Sequence, residues 1–373
     1  MPKKYLYVAT MLSHICQFHL PYLKMLKDEG NIVHVAANNN LDVKNGLELK
    51  YTDEFFNVPF ERSPFNKRNI KAYKALKRII DENHYDVIVC NTPVGGVFAR
   101  LGSVKTRKQG TKVYYMAHGF HFYKGASFQN WIMYYPIEKA MAHYCDAVIT
   151  INNEDYDFAK SHISGRIEHI HGVGVDSDRY QPVNDIQRKS LREKEGLSED
   201  DFVIICTGEL NQNKNQKLLI NAVTELKNKI PNLKVLLAGN GPLESELKSM
   251  VHEKSLDNVI TFLGYRTDLE NVVPATDLVV SCSYREGMPL NIIEAMLCKK
   301  AVIASKNRGH NELIEHGVNG YLVDPDSSDQ LAEYISTIYI NKSLAIKMGE
   351  EGFLKASSYT VNQVKEEIMS LLI

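Results

Sequence analysis

Short apolar runs rich in β-branched residues alternate with helix-length amphipathic segments along nearly the whole chain. Strands interleaved with helices in this way form parallel sheets covered on both faces. In the first half the pattern predicts strands at 5–9, 32–36, 87–90, 113–117 and 147–151, with helices at about 18–29, 69–83, 94–106, 128–143 and 154–161. In the second half it predicts strands at 202–207, 234–238, 259–263, 278–281 and 301–304, with helices at about 215–230, 242–254, 289–298 and 328–341. Two such series in 373 residues imply two doubly wound α/β domains, a length that suits domains of roughly 150–200 residues. Between the series, Gly172, Gly174, Pro182 and a polar stretch over 183–201 read as the linker. Domains are therefore expected at 1–171 and 172–359. Val361, Val364, Ile368 and Leu371 then recur at helical spacing, so a last helix over 360–373 is expected to dock back on the first domain.

Composition narrows the class. With 44% hydrophobic residues the chain can fill two cores, which excludes disorder. No apolar run approaches the ~18–20 residues of a membrane span. The opening MPKKYLYVAT enters a strand pattern directly, with no signal-peptide cleavage region. Cys16, Cys90, Cys145, Cys206, Cys282 and Cys298 are scattered without a CxxC pair and read as reduced core thiols of a cytoplasmic protein. The net charge of −1 gives no sign of a nucleic-acid partner. The halves differ, however: residues 1–171 hold 22 basic and 16 acidic residues (net +6), and 172–373 hold 22 and 29 (net −7). One domain is thus expected to face something anionic.

In open parallel sheets ligands bind beyond the carboxyl ends of the strands, and in a two-domain chain the natural place is the cleft between the domains. The strand-end segment Ser281-Cys-Ser-Tyr-Arg-Glu-Gly-Met-Pro-Leu-Asn-Ile-Ile-Glu294 leads into a helix with Pro289 at its start. Free N–H groups there, with Gly287 allowing close approach, form a ready anion site. Glu294 stands inside an otherwise apolar helix, where an unpaired carboxylate is costly and two ribose hydroxyls would satisfy it. Glu286 precedes the helix, placed to face a sugar. Taken singly these are an ordinary loop residue and a solvent-facing helix residue; the neighbouring segments give them weight. Lys214 lies on the polar loop after 202–207, placed to meet a diphosphate as a point charge. Leu237-Ala-Gly-Asn-Gly-Pro242 is a strand, a glycine turn containing Gly241 and a helix start, and Tyr265 and Arg266 end the next strand.

In order and spacing these segments resemble the retaining glycosyltransferases of family 4, which have two Rossmann-like doubly wound parallel-sheet domains facing a cleft, the GT-B fold. The hallmark is a Glu, seven residues and a Glu, here Glu286-Gly-Met-Pro-Leu-Asn-Ile-Ile-Glu294. The resemblance implies that Glu294 holds the donor ribose and Glu286 the donor sugar. Lys214 and the backbone of Gly287, Met288, Pro289, Leu290 and Asn291 would bind the diphosphate, with Tyr265 and Arg266 near the base. One departure stands out: Glu209 occupies the place of the family's usual Arg, so Arg285 or another basic residue would have to compensate.

In the first half, Tyr115-Met-Ala-His-Gly-Phe-His-Phe122 resembles the family's His-Gly motif, which gives His118 a catalytic role with Glu286 and Lys214. Taken alone, a single His at a strand end is as readily a structural residue. Ser13, His14 and His19, in the first strand–helix loop, and His121 are assigned to the acceptor side. The loop lacks the Gly pair often found there in the family. Asp176-Ser-Asp178 and Asp324-Pro-Asp326 match an Asp-x-Asp metal motif but lie outside the donor loops, so no metal and no cofactor are assigned. The surplus of positive charge gathers at Arg62, Lys67, Arg68, Lys71, Lys74, Lys77 and Arg78, on and before a helix with apolar positions Ile70, Tyr73, Leu76, Ile79 and Ile80. A solvated outer face explains that pattern; contact of 62–78 with an anionic membrane surface explains it equally and suits a polyprenyl-diphosphate-linked acceptor.

The reading is transfer of a sugar, with retention, from a nucleotide-sugar donor to a glycan or polyprenyl-diphosphate-linked acceptor in surface polysaccharide synthesis. The resemblance to bacterial capsule and exopolysaccharide enzymes favours a UDP-sugar over GDP-mannose. A nucleotide-sugar epimerase of the same fold stays open, as does a non-catalytic glycan-binding subunit. Glu286, Lys214 and His118 together speak against the subunit. A dinucleotide dehydrogenase is disfavoured, since 9–18 contains no Gly-x-Gly-x-x-Gly.

Overall fold

The computed structural model describes residues 2–43 and 46–372. The chain divides into two compact units, one of Met1–Val173 with Val364–Ile373, the other of Gly174–Gln363. In the first unit the strands are β1 (Lys4–Met11), β2 (Ile32–Asn38), β3 (Glu54–Asn57), β4 (Val87–Asn91), β5 (Lys112–Ala117), β6 (Ala147–Thr150) and β7 (Ile167–His169). They form one parallel sheet in the order β3-β2-β1-β4-β5-β6-β7. Every side chain from Tyr5 to Thr10 is buried, as a central strand covered on both faces requires.

The second unit holds β8 (Phe202–Thr207), β9 (Leu233–Ala238), β10 (Ile260–Gly264), β11 (Leu278–Ser281), β12 (Ala301–Ser305) and β13 (Tyr321–Val323). Its parallel order is β10-β9-β8-β11-β12-β13. Alternate residues feed two cores: Ile204, Val235, Val280 and Ile303 enter one, while Val203, Leu236, Val279 and Val302 enter the other. Each unit is a doubly wound α/β domain with a parallel sheet, the fold class read from the sequence. In each, strand order reverses once, between β1 and β4 and between β8 and β11.

Several elements differ from expectation. β3, β7 and β13 were not anticipated; they have four, three and three residues, and the first two carry no fully buried side chain. Such edge strands have too little periodicity to read. The single helix expected at 18–29 is two, Leu12–Phe18 and Leu20–Asp28. Pro21, which has no N–H for the preceding turn, stands in the first turn of the second. The first starts directly at the end of β1, so Ser13 and His14 sit on a helix rather than in a loop. Ile70 is not on the packing face of the helix Asn69–Asn83: Ala72, Leu76 and Ile80 are buried and Ile70 is 60% exposed. The terminal helix Val361–Leu372 buries Val364, Ile368 and Leu372 in place of Leu371. Within the first unit, its Glu367 accepts from the backbone N–H of His171 at 2.9 Å and meets His171 Nδ1 at 2.7 Å.

The stretch 183–201 is not a linker. It forms the helix Asp185–Lys194, started by a capping box of Asn184 and Gln187. What holds it to the second unit is a buried cation. Arg192 donates to the carbonyls of Ala275, Ser198, Glu199 and Asp201 at 2.8–3.0 Å and to Asp277 Oδ2 at 2.6 Å, while Arg188 takes Asp277 Oδ1. A polar helix anchored by one arginine has no apolar stripe to find. The helix Lys342–Ala356 was also missed. It contains two glycines, and Gly349 is required by contact, since a Cβ there would stand 2.2 Å from Lys299 O. Arg192→Met would leave four carbonyls without this donor and take one of its two arginine partners from Asp277; a loss of about 3–5 kcal/mol is expected, read as a lower urea midpoint.

Candidate active site

In the second unit the site begins where order reverses, between the loops after β8 and β11. The β8 and β9 loops lie backbone against backbone. Leu210 N–H donates to Asn240 O and Leu243 N–H to Leu210 O, both at 3.0 Å. A Cβ on Gly239 (φ +146°) would stand 2.0 Å from Gly208 O, and one on Gly241 2.3 Å from Leu210 O. Gly241 thus has a packing reason of its own. The β8 loop is stitched to the β11 loop by Tyr284 N–H to Asn213 O (2.8 Å) and Asn213 Nδ2 to Arg285 O (3.0 Å). This brings Lys214 Nζ to 2.6 Å from Glu286 Oε1, an ion pair between side chains that are 24% and 14% exposed. Burial alone would raise the Glu286 pKa, but the Lys214 charge prevails and holds it below its usual value, so the carboxylate is ionised.

Among the described residues, no acceptor takes the N–H groups of Gly287, Met288, Leu290 or Asn291. Pro289 caps the helix Leu290–Leu297, which begins one position after the expected start. Glu294 lies on that helix between buried Ile293 and Ala295. Burial pushes its pKa up to about 7, against a hydrogen bond from Tyr180 and the charge of Arg179. Arg179 in turn pairs with Glu270 at 2.7 Å.

Two expected donor-loop residues have protein partners. The Arg266 guanidinium is committed to Glu195 (2.8 and 2.9 Å) and Asp268 (2.7 and 2.8 Å). Glu209 is exposed and accepts from Asn211 Nδ2 at 2.9 Å. Tyr265 is 51% exposed and Arg285 is exposed. The loop after β12 was missed. Arg308 Nε donates to Glu286 O at 3.2 Å, and buried His310 contacts Ser305 O at 2.6 Å and Ser281 Oγ at 3.1 Å. The signal was available: whatever follows 301–304 must emerge beside the β11 loop. Both acidic motifs cap their own turns, Asp178 N–H donating to Asp176 Oδ1 and Asp326 N–H to Asp324 Oδ1, each at 2.9 Å.

The first unit has its own site at the β1/β4 reversal. Thr10 N–H donates to Thr92 Oγ1 at 2.9 Å, and the two hydroxyls meet at 2.7 Å. A cavity of about 320 Å³ opens there, lined by Ser13, His14, Arg62, Thr92, His121 and Tyr134 among others. A smaller one of about 100 Å³ is lined by His118, His121, Tyr115 and Glu138. Ser13 is held by Asn40, which accepts from its N–H and donates to its Oγ. His121 stacks on Tyr134 at 4.5 Å. The rings of His14 and His19 pack on His118 at 4.4 and 5.3 Å. Burial drives the pKa of His14 down to about 4 and those of His19 and His118 well below the usual histidine value, so all three are neutral at pH 7.

Two doubly wound domains, each with a polar cluster where its strand order reverses, define the architecture of the GT-B glycosyltransferases. Residues 22–179 match the family model described as Glycosyltransferase Family 4, and residues 187–355 the one described as Glycosyl transferases group 1. The chain is 43% identical over its whole length to the putative glycosyltransferase EpsD of Bacillus subtilis (strain 168), covering 96% of that protein. It is 27% identical, over 91% of this chain and 88% of the relative, to the UDP-Gal:alpha-D-GlcNAc-diphosphoundecaprenol alpha-1,3-galactosyltransferase of Escherichia coli. The crystal structure of HepE from Anabaena in complex with UDP and glucose superposes with a TM-score of 0.82 at 24% identity, over 99% of both chains. The chain belongs to the family 4 glycosyltransferases.

The ionisation of Glu294 makes a prediction of its own. Folding raises its pKa from 4.5 to about 7, so this group's stabilisation of the native state is complete below pH ~4.5 and is lost as pH rises through about 7. Glu294→Gln, neutral throughout, is expected to lose less stability than wild type between pH 5 and 8. Urea denaturation at both values tests this; parallel losses would contradict it.

Proposed function

We propose that the chain moves a sugar, with retention, from a UDP-sugar to a polyprenyl-diphosphate-linked glycan in surface polysaccharide synthesis. The observation that carries the reading is the Lys214–Glu286 pair beside the free N–H groups of Gly287, Met288, Leu290 and Asn291. As the donor's sugar–oxygen bond breaks, negative charge gathers on the diphosphate, and fixed cations and N–H groups stabilise it where it develops. Lys214 and the start of the helix Leu290–Leu297 supply them, with Arg308, which donates to Glu286 O, taking the part of the arginine absent at Glu209. Glu294 holds the ribose, and the Tyr180 hydroxyl stands in for a ribose hydroxyl until the donor arrives. Glu286, tied to Lys214, orients the sugar together with His118 rather than attacking it. The departing diphosphate takes the proton of the acceptor hydroxyl on the same face. No metal has a part in this chemistry, and turnover is expected to survive a chelator.

The name of the Escherichia coli relative, with its UDP-Gal donor and diphosphoundecaprenol acceptor, supports both substrate classes. The cavity of about 320 Å³ beside Arg62, His14 and His121 suits the acceptor. Exposed Phe65 and Ile70 among Arg62, Lys67, Arg68, Lys71 and Lys74 suit an anionic leaflet, worth ~1 kcal/mol per charge near the surface. No helix among the described residues is long and apolar enough to cross a membrane.

The test is UDP release and product anomer with a panel of UDP-sugars and a polyprenyl-diphosphate sugar. Glu286→Ala and Lys214→Ala should each lower turnover at least about tenfold, ~1.4 kcal/mol in barrier, with the fold intact. Wild-type turnover in either would remove that residue from the mechanism. Glu294→Ala should weaken UDP binding in calorimetry; unchanged affinity would rule out the ribose contact.

A further inference from the structure

His14, His19 and His118 come from the start of the first helix, its end and the segment after β5, and converge at the β1/β4 reversal. One nitrogen of each ring lies within 4.8 Å of the other two. His19 is fully buried, and neither of its ring nitrogens has a partner; His14 Nε2 is buried and equally unpartnered. A buried imidazole nitrogen without a partner costs free energy, so the unpartnered nitrogens of His14 and His19, gathered in one cluster, call for a ligand. The third ring is oriented for one. Asn91 Nδ2 donates to Val8 O at 3.4 Å, which turns its Oδ1 toward His118 Nε2 at 3.1 Å. His118 therefore carries its proton on Nε2 and its lone pair on Nδ1, the arrangement in which an outer hydrogen bond sets a metal-ligating imidazole.

We propose that His14, His19 and His118 bind a divalent transition-metal cation of the Zn²⁺ type. The donor set consists of imidazoles alone, which suits Zn²⁺, Co²⁺, Ni²⁺ or Cu²⁺ and not Mg²⁺ or Ca²⁺. Zn–N bonds of about 2.0–2.1 Å place tetrahedral ligands about 3.4 Å apart, so the rings draw together by up to about 1.4 Å on binding. His14 can supply that movement, since it stands on a seven-residue helix and lines the open cavity. Three protein ligands leave a fourth position for water or substrate. Resting on the reading under Proposed function, a metal-held His118 is withdrawn from the donor sugar, and Zn²⁺ then inhibits transfer.

The experiment uses the untagged full-length protein, stripped with a chelator and dialysed. Zn²⁺ is titrated in competition with a chromophoric chelator, and Co²⁺ serves as the spectroscopic probe. One equivalent of Zn²⁺ should bind, and Co²⁺ should show visible d–d bands without the near-ultraviolet charge transfer of thiolate ligands. His19→Gln and His14→Gln should each weaken binding at least about tenfold; the His14 variant, altered at a ring that borders the open cavity, guards against misfolding of the other. No uptake by wild type, or equal uptake by wild type and both variants, overturns the site. Binding without loss of turnover supports the site and counts instead against the contact of His118 with the donor.

Discussion

A parallel sheet brings the carboxyl-terminal ends of all its strands to one edge, and a reversal of strand order makes the loops at that edge turn away from each other. The gap so opened is where ligands bind in open α/β sheets. In the second unit, β8 and β11 meet there, and Lys214 from one loop pairs with Glu286 from the other at 2.6 Å. The bonds of Asn213 and Tyr284 bring those two loops together, and the close contacts of Gly239 and Gly241 hold the β9 loop against the β8 loop. In the first unit, the β1/β4 reversal gathers Thr10, Thr92 and three histidines in the same way.

Two glutamates eight positions apart show how far environment decides chemistry. Both lose water, and burial pushes both toward the protonated form. Glu286 has a lysine in contact and is held ionised; Glu294 has a tyrosine hydroxyl and a more distant arginine, and rises to about 7. The first is therefore a fixed negative group beside a cation. The second is poised to exchange a proton or a hydrogen-bond partner when a ligand enters.

The parts of the fold that were legible were those with long, strongly periodic segments. Ten strands and the helix Asn69–Asn83 fall where apolar spacing puts them, because a covered parallel strand must be apolar along its whole length. The illegible parts obey other physics. The helix Asp185–Lys194 is held by one buried arginine, the helix Lys342–Ala356 contains Gly349, which contact with Lys299 O requires, and β3, β7 and β13 are short edges. Within the site, the Glu286–Glu294 spacing was plain to read. That Arg266 is spent on Glu195 and Asp268 was not, since Glu195 lies 71 residues away in the chain.

From sequence alone came the two α/β domains, the glutamate pair and the resemblance that the relatives bear out, because periodicity and motif spacing are properties of neighbouring residues. Only the tertiary structure decided which groups meet. Lys214 and Glu286 are 72 residues apart, and His118 lies about a hundred residues from His14 and His19. Their contacts depend on strand order, and strand order is set by how whole helices pack on a sheet. No local pattern in the chain encodes it.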